Sequence, residues 1–576
     1  MKTGRIIAIF ALILILAAAA VYTALFGSPL KKDGNAPGSQ QTLITEPEDG
    51  TVTAQITLQG GSAVVSGRGA QADGSAVNIT GAGTYRISGE LTEGRITVDS
   101  DDDGTVVLVL EGADITNTSG PAILVENSKG LLIHLEEGTV NRLVSGKETA
   151  ITADAGDSAA TGGALMLRDD AVLSGGGTLE VYGYINNGIH CSNDLQIESG
   201  TVSVTAVNNG IKGKDSLIVN GGTINIESGG DGLKTDGDED ANTGILTVNG
   251  GTITVRSHDE GLKTTGRIEL FGGDISLDCD DDGVNCDGDI LISGSALTIS
   301  CKDDGIHADG SLTVDSGIVT VSRSTEGMES KYITVNSGTV SVTSSDDGFN
   351  CTNGGGSQFG WGMTGRADSA DLPSLTFNGG TVYVNAQGDG LDSNGDIAIN
   401  GGCIIVDGPS GNGNGSLDSG TESGGELTVN GGTLLCVGSA GMAEIPGSGS
   451  KQITFAYNAS FGAGTDVRIL SSSGDVLMEH KTAKSGGNII FSSPDLAMSG
   501  EYVLQVAETT YDIIITDTVT VYGQMGGFGG QGGPGGPGGQ GGPGGPGGQG
   551  GPGGFGGPGG PGDHGGQGFP GKPGGT

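Results

Sequence analysis

Short runs of alternating apolar and polar residues recur along the middle of this chain, and they recur at a fixed distance. The segment Gly251-Thr-Ile-Thr-Val255 has counterparts beginning at Gly200, Gly222, Gly273, Ser295, Gly317, Gly338, Gly380, Gly402 and Gly432. Taken in chain order, the steps are 22, 29, 22, 22, 22, 21, 42, 22 and 30 residues. The unit is therefore about 22 residues, and the long steps carry insertions such as Asp238 to Thr243 and Asn353 to Pro373. Each unit holds three runs with one apolar face: G-T-I-x-V, a run after an acid–Gly pair such as Asp304-Gly305-Ile306-His307, and an L-T-V-N run such as Leu246 to Asn249. Alternation of period two predicts strands with one face inward. Three such strands and three turns make one rung of a parallel β-helix, and the lack of a 3.6 period excludes leucine-rich and helical repeats.

The same solenoid is expected to start in the less regular region from Thr51 to Ser174, where Gly104 to Leu110 and Leu131 to Leu135 read as strands. The period breaks from about Lys451 to Val521. A solenoid end must be covered, so this stretch is predicted to be a small β cap. The expected organisation is an all-β solenoid over 51–445 and a cap over 446–523.

The ends differ in composition. Lys2 and Arg5 precede an apolar run from Ile6 to Phe26, long enough for one membrane span. Ala18 and Ala20 also offer a cleavage site, so residues 1–26 read as either a membrane anchor or a signal peptide. Both export the remainder, and 27–50 reads as a linker. From 524 to 576 the chain is rich in Gly, Pro and Gln, with Gly at every third place from Gly526 to Gly574, which predicts a flexible, disordered tail. Overall Gly supplies 117 of 576 residues and there is one Trp. Such a Gly content speaks against a helical bundle. With 26 Lys and Arg against 68 Asp and Glu the net charge is −42, which excludes a general nucleic-acid binder. A monomer is expected.

Stacked rungs place equivalent residues in files about 4.8 Å apart. One inward file reads Cys191, Gly213, Thr235, Thr264, Cys286, Ala308, Ser330, Cys351 and Ser393, all small, as a tight corner requires. Cys279 and Cys301 also fall at one place in adjacent rungs, where a disulfide is geometrically open but free thiols are expected.

A second file carries charge: Asn187, Asn209, Asp231, Glu260, Asp282, Asp304, Glu326, Asp347 and Asp389. Seven consecutive acids at that spacing repel one another and need compensation. Lys234 and Lys263 follow Asp231 and Glu260 by three residues, but Asn285 and His307 hold the equivalent places after Asp282 and Asp304. There more acids gather: Asp280, Asp281, Asp287, Asp303 and Asp309. Clustered hard oxygens suit Ca²⁺, which takes 6–8 of them, so these seven residues around Asp282 and Asp304 are the candidate Ca²⁺ ligands. Lys212, Lys234 and Lys263 line up on three rungs, as a lyase base or a sugar contact would, although a recurring motif is better suited to neutralising the acids. Trp361, beside Phe359 in a Gly-rich insertion, is a candidate for stacking on a sugar ring.

The runs Gly83 to Thr92 (GTYRISGELT), Val106 to Asn117 (VVLVLEGADITN) and Asn208 to Lys214 (NNGIKGK) resemble a clostridial family of carbohydrate-binding β-helix proteins. The resemblance covers about residues 50–440. It implies a right-handed parallel β-helix, bound calcium, and kinship with pectate lyases without established lyase activity. The expected function is an exported, surface-attached protein that binds acidic polysaccharide with calcium. A pectate-type lyase and a structural wall or adhesion protein are the alternatives.

Overall fold

A computed structural model describes residues 51–152, 162–237, 242–353, 372–421 and 423–523, and every regular element among them is a β-strand. The N-terminal apolar run, the tail from 524, and Trp361 with its insertion lie outside the described residues.

The three predicted runs become three parallel ladders, referred to as the first, second and third faces. The first stacks Thr201–Ala206, Thr223–Ser228, Thr252–Ser257 and Asp274–Cys279 in register, with Val202 beside Ile224, Ile253 and Ile275. The second stacks Ile211–Gly213, Leu233–Thr235, Leu262–Thr264 and Val284–Cys286. The third stacks Ser216–Val219, Ile245–Val248 and Arg267–Leu270. Alternate side chains of all three faces point into one continuous core, in which Ile253, Val255, Leu262, Ile268 and Val284 are essentially sealed from water. The fold is a parallel β-helix, as the period predicted. Its first turns are the irregular N-terminal strands: Val52–Gly60 pairs in parallel with Gly83–Leu91, and that strand with Val106–Asn117.

Two kinds of glycine keep the rungs uniform. Gly251, Gly273 and their equivalents open the first face at φ of +96° and +91°, the left-handed region that side chains resist. Gly283 and its equivalents before the second face are required by close approach. A Cβ on Gly283 would stand 2.4 Å from Ile299 Cγ2 and 2.6 Å from the carbonyl of Gly305 on the next rung. At the corner after the third face, Asn249 donates to Asn220, and Asn400 to Asn378, so stacked amides satisfy one another across rungs.

The small inward file is as expected. Cys191 pairs with Gly213, Thr264 with Cys286, and Ser330 with Cys351. All seven cysteines are free thiols, Cys279 and Cys301 among them.

The C-terminal end is closed by antiparallel strands. Asn488–Ser492 pairs with the last strand of the first face, Thr433–Gly438. Thr454–Tyr457 joins it, and Val519–Tyr522 runs parallel to Thr454–Tyr457. A separate four-stranded antiparallel sheet follows, in the order Val476–Lys481, Asp466–Ser471, Glu501–Val506, Thr509–Ile514. This cap has its own core around Phe455, Phe491, Ile469 and Leu504. Buried Asp407 of the first face ties it down, accepting hydrogen bonds from Tyr383 Oη at 2.9 Å, His480 Nε2 at 2.9 Å and the Ala483 amide at 2.9 Å.

Candidate functional site

The acidic file forms where the chain turns into the second face. Each turn glycine donates its amide to the carbonyl of the acid one rung on: Gly261 to Asp282, Gly283 to Asp304, Gly305 to Glu326. This backbone ladder sets the side chains in a column. Several column side chains in turn accept the amide of the next column residue, as Asn209 Oδ1 does from Asp231 at 3.0 Å and Asp282 Oδ1 from Asp304 at 2.8 Å. The column is thus part of the rung-to-rung scaffold as well as a line of charge.

The next file is the outward middle residue of the second face. It reads His190, Lys212, Lys234, Lys263, Asn285, His307, Glu329, Asn350, Asp392 and Asp418 in paired register. Its character changes from basic to acidic along the solenoid, and so does the compensation of the column. Lys212 pairs with Asp236 at 2.5 Å, Lys234 with Asp231 at 2.7 Å and Lys263 with Glu260 at 3.2 Å. Burial pulls the Lys234 and Lys263 ammonium groups down, but Asp231 and Glu260 beside them more than restore them, and both end above the ordinary value. Further along, among the described residues, no lysine faces the column: Asp282 meets the side-chain amide of Asn285 at 2.6 Å, and Glu326 that of Asn350 at 2.7 Å.

Among the described residues three groups of ligand-type side chains result, each with donor atoms within 4.8 Å of one another: Asp231, Asp259 and Glu260; Asp281, Asp282 and Asp303; Asp304, His307 and Glu329. The seven acids singled out in the sequence do not all meet. Asp281, Asp282 and Asp303 come together. Asp304 leans the other way, toward His307 and Glu329. Asp280 lies apart, paired with His258 Nδ1 at 2.7 Å and Lys302 Nζ at 2.7 Å. Asp287 stands 3.9 Å from Lys263, and Asp309 stands 3.2 Å from His307 Nε2. Asp259 and Glu329 were not singled out by the sequence. Glu329 was within reach of it, because it lies one 22-residue period after His307.

Crowded burial makes these carboxylates hard to ionise. Burial foremost, with Asp304 and Asp281 nearby, pushes Asp282 up to about 7 in spite of its donors Asn285 and the Asp304 amide. Burial, then Glu260 and Asp303, raises Asp281. Toward the C-terminal end burial and neighbouring acids push Glu326 up to about 8, Asp389 to about 7 and Asp392 to about 8. Asp231 is almost fully buried, and burial followed by the Glu260 carboxyl beside it holds it well above the usual range. A cation placed among such groups recovers the cost of ionising them.

Residues 73–327 match the family described as "Carbohydrate-binding domain-containing protein". A relative with that same description, from Acetivibrio thermocellus, is 36% identical over 130 residues, which are 23% of this chain and 45% of the relative. The match thus spans about half of the relative's length. Among solved structures, a polysaccharide lyase-like protein from C. thermocellum, solved as a gadolinium derivative, is 29% identical, over 46% of this chain and 97% of that one, with a TM-score of 0.38. The resemblance carried by Gly83 to Thr92, Val106 to Asn117 and Asn208 to Lys214 is borne out: over residues 73–327 this chain is similar to the carbohydrate-binding domain family.

Proposed function

We propose that this chain is an exported polysaccharide-binding protein that holds an acidic polysaccharide through calcium, and that it binds the polymer without cutting it. The observation that carries the reading is the group Asp281, Asp282 and Asp303, with donor oxygens within 4.8 Å of one another on the outer edge of the second face. Asp231 and Glu260 face lysines, whereas Asp282 faces an amide. Three carboxylates supply several oxygens of the 6–8 that calcium takes and leave places for others. A uronate carboxylate fills such a place. Direct contact between an anionic polymer and a chain of net charge −42 is repulsive, and a shared divalent ion removes that conflict. The stacked rungs give an extended sugar chain a long face to lie along on either side of the ion. Export rests on the apolar run Ile6 to Phe26 behind Lys2 and Arg5, which also offers a means of membrane attachment.

Cleavage by β-elimination needs an unprotonated base at hydrogen-bond reach of the sugar C–H. Lys234 and Lys263 are ion-paired and shifted upward, so they are held protonated. The test is calorimetric titration of oligogalacturonate into the protein. Binding is expected with calcium, loss with chelator, and loss in the double variant Asp281→Asn, Asp303→Asn. Equal affinity with and without calcium would overturn the reading. Release of unsaturated, ultraviolet-absorbing product at alkaline pH would replace it with a lyase.

A further inference from the structure

We propose that Asp304, His307 and Glu329 form a second metal site of different chemistry, one that takes a divalent transition metal of the zinc or cobalt class. The site lies one rung beyond the Asp281, Asp282 and Asp303 group and stands independently of the polysaccharide reading.

Sequence and register assemble it. His307 is the outward middle residue of its second-face strand, and the parallel register sets Glu329 directly opposite on the following rung. Asp304 reaches the same place from the turn three residues earlier. His307 Nδ1 stands 3.4 Å from Asp304 Oδ2 and 3.2 Å from Glu329 Oε2. Zinc binds imidazole nitrogen and carboxylate oxygen at about 2.0–2.2 Å in a tetrahedron, whose edge is then roughly 3.3 Å. Both separations from His307 fall near that edge length, and the two carboxylates have donor atoms within 4.8 Å of each other, so a modest side-chain adjustment closes the trio on a metal.

The other ring nitrogen provides an observation from outside the trio. Metal-bound imidazoles regularly donate their remaining N–H to a carboxylate, which fixes the tautomer and aims the ring. His307 Nε2 faces Asp309 Oδ1 at 3.2 Å. Asp309 is mostly exposed and lies two residues further along the same strand, so it holds the ring without entering the site.

The donor set decides the class of metal. Calcium and magnesium prefer all-oxygen shells, whereas a nitrogen donor among carboxylates suits zinc, cobalt, nickel or manganese. Asp281, Asp282 and Asp303 offer oxygen alone, and the neighbouring rung offers nitrogen and oxygen. Two adjacent rungs of one repeat therefore select different ions, because the middle residue of the second face changes from Asn285 to His307. The side chains of Asp304, His307 and Glu329 are 14%, 25% and 18% exposed, so the trio opens toward solvent and a fourth position is left for water or a ligand oxygen. Entry of the metal displaces the proton that Nδ1 shares with the two carboxylates.

The full chain, stripped with chelator and dialysed, is titrated with Co²⁺ at pH 8 in a large excess of Ca²⁺, and the visible ligand-field band is followed. One equivalent should saturate the band, and Zn²⁺ should displace it. His307→Gln and Glu329→Gln should each weaken cobalt binding at least tenfold, and Asp309→Asn about 10–100-fold, the usual effect of losing such an outer partner. Asp281→Asn with Asp303→Asn should leave cobalt affinity unchanged while abolishing calcium-dependent sugar binding, which separates this site from the calcium reading. Cobalt affinity unaltered in His307→Gln and Glu329→Gln, or displacement of cobalt by the calcium excess, overturns the proposal. Should either of those variants fail to fold, Asp309→Asn decides, since it leaves the trio intact: unchanged affinity there overturns it as well.

Discussion

Replacing Asp282 by Asn should stabilise the metal-free protein at pH 8 and remove its response to calcium. Asp282 is 7% exposed, and burial foremost pushes its carboxyl from an ordinary 3.8 up to about 7. Keeping it ionised in the folded chain therefore costs roughly 4 kcal/mol, at about 1.36 kcal/mol per tenfold change in proton affinity. Because the folded value lies above the unfolded one, the native state binds the proton more tightly. Stability is fully present below about pH 4 and is lost as pH rises through about 7. Asn has the same size without the charge. It keeps an oxygen for the Asp304 amide, but turning the Asn285 amide to meet the new NH₂ gives up the 2.7 Å bond that Asn285 Oδ1 accepts from Lys263, so the gain falls short of the full ionisation cost. In chelator at pH 8 the variant should thus gain up to about 4 kcal/mol, which for several hundred residues is roughly 4 °C in Tm. At pH 5 the advantage should shrink, because the wild-type carboxyl is then protonated. With calcium at 100 times its Kd the wild type should gain about 2.7 kcal/mol, and the variant should gain much less. Scanning calorimetry at pH 5 and 8, with calcium and with chelator, reads all four conditions. A variant no more stable than wild type in chelator at pH 8, or a wild type that gains stability from pH 5 to 8 in chelator, would refute the reasoning.

Two further outcomes follow from particular contacts, and a third from the sequence. Gly283→Ala should cost several kcal/mol and cut the soluble yield sharply, since its Cβ would stand 2.4 Å from Ile299 and 2.6 Å from the Gly305 carbonyl; a Tm within 1–2 °C of wild type would show that the rungs can part there. Asp407→Ala should loosen the cap by about 3 kcal/mol or more, because the Tyr383 hydroxyl, His480 and the Ala483 amide lose a shared buried acceptor; limited proteolysis between 454 and 522 should accelerate, and an unchanged cleavage rate would count against the tie. Trp361→Ala should weaken retention on polysaccharide while leaving the Tm unchanged; the opposite pattern would assign the insertion a covering role instead.

The fold was legible because the rung is a single physical unit repeated. Every rung must offer an inward pair on each face, a small residue at the tight corner and a glycine where successive rungs approach most closely, so Ile253, Thr264 and Gly283 recur at the same phase. The column of acids was legible for the same reason. Which acids meet was not, because that depends on the direction in which each side chain leaves the turn. Asp280, Asp281 and Asp282 are consecutive, yet Asp280 turns to His258 and Lys302 while the other two face Asp303. Asp304 belongs to the column of Asp282 but is drawn to the imidazole of His307. Glu329 carried a readable sign in its 22-residue offset from His307, but that file opens with a histidine and three lysines, and its change of character hides the acid. The cap was legible only as a break in period. Its largely antiparallel topology follows from the need to cover the open edges of the last rung, which imposes no repeat on the sequence.

The central claim is that calcium at Asp281, Asp282 and Asp303 joins the protein to a uronic-acid polymer. The most direct measurement is a crystal structure of the protein grown with calcium and oligogalacturonate, with the ion located by its anomalous scattering. The account predicts an ion within 2.3–2.6 Å of oxygens from all three aspartates and of a sugar carboxylate. An oligosaccharide bound on another face with no ion between it and the protein, or calcium bound elsewhere on the solenoid, would contradict it.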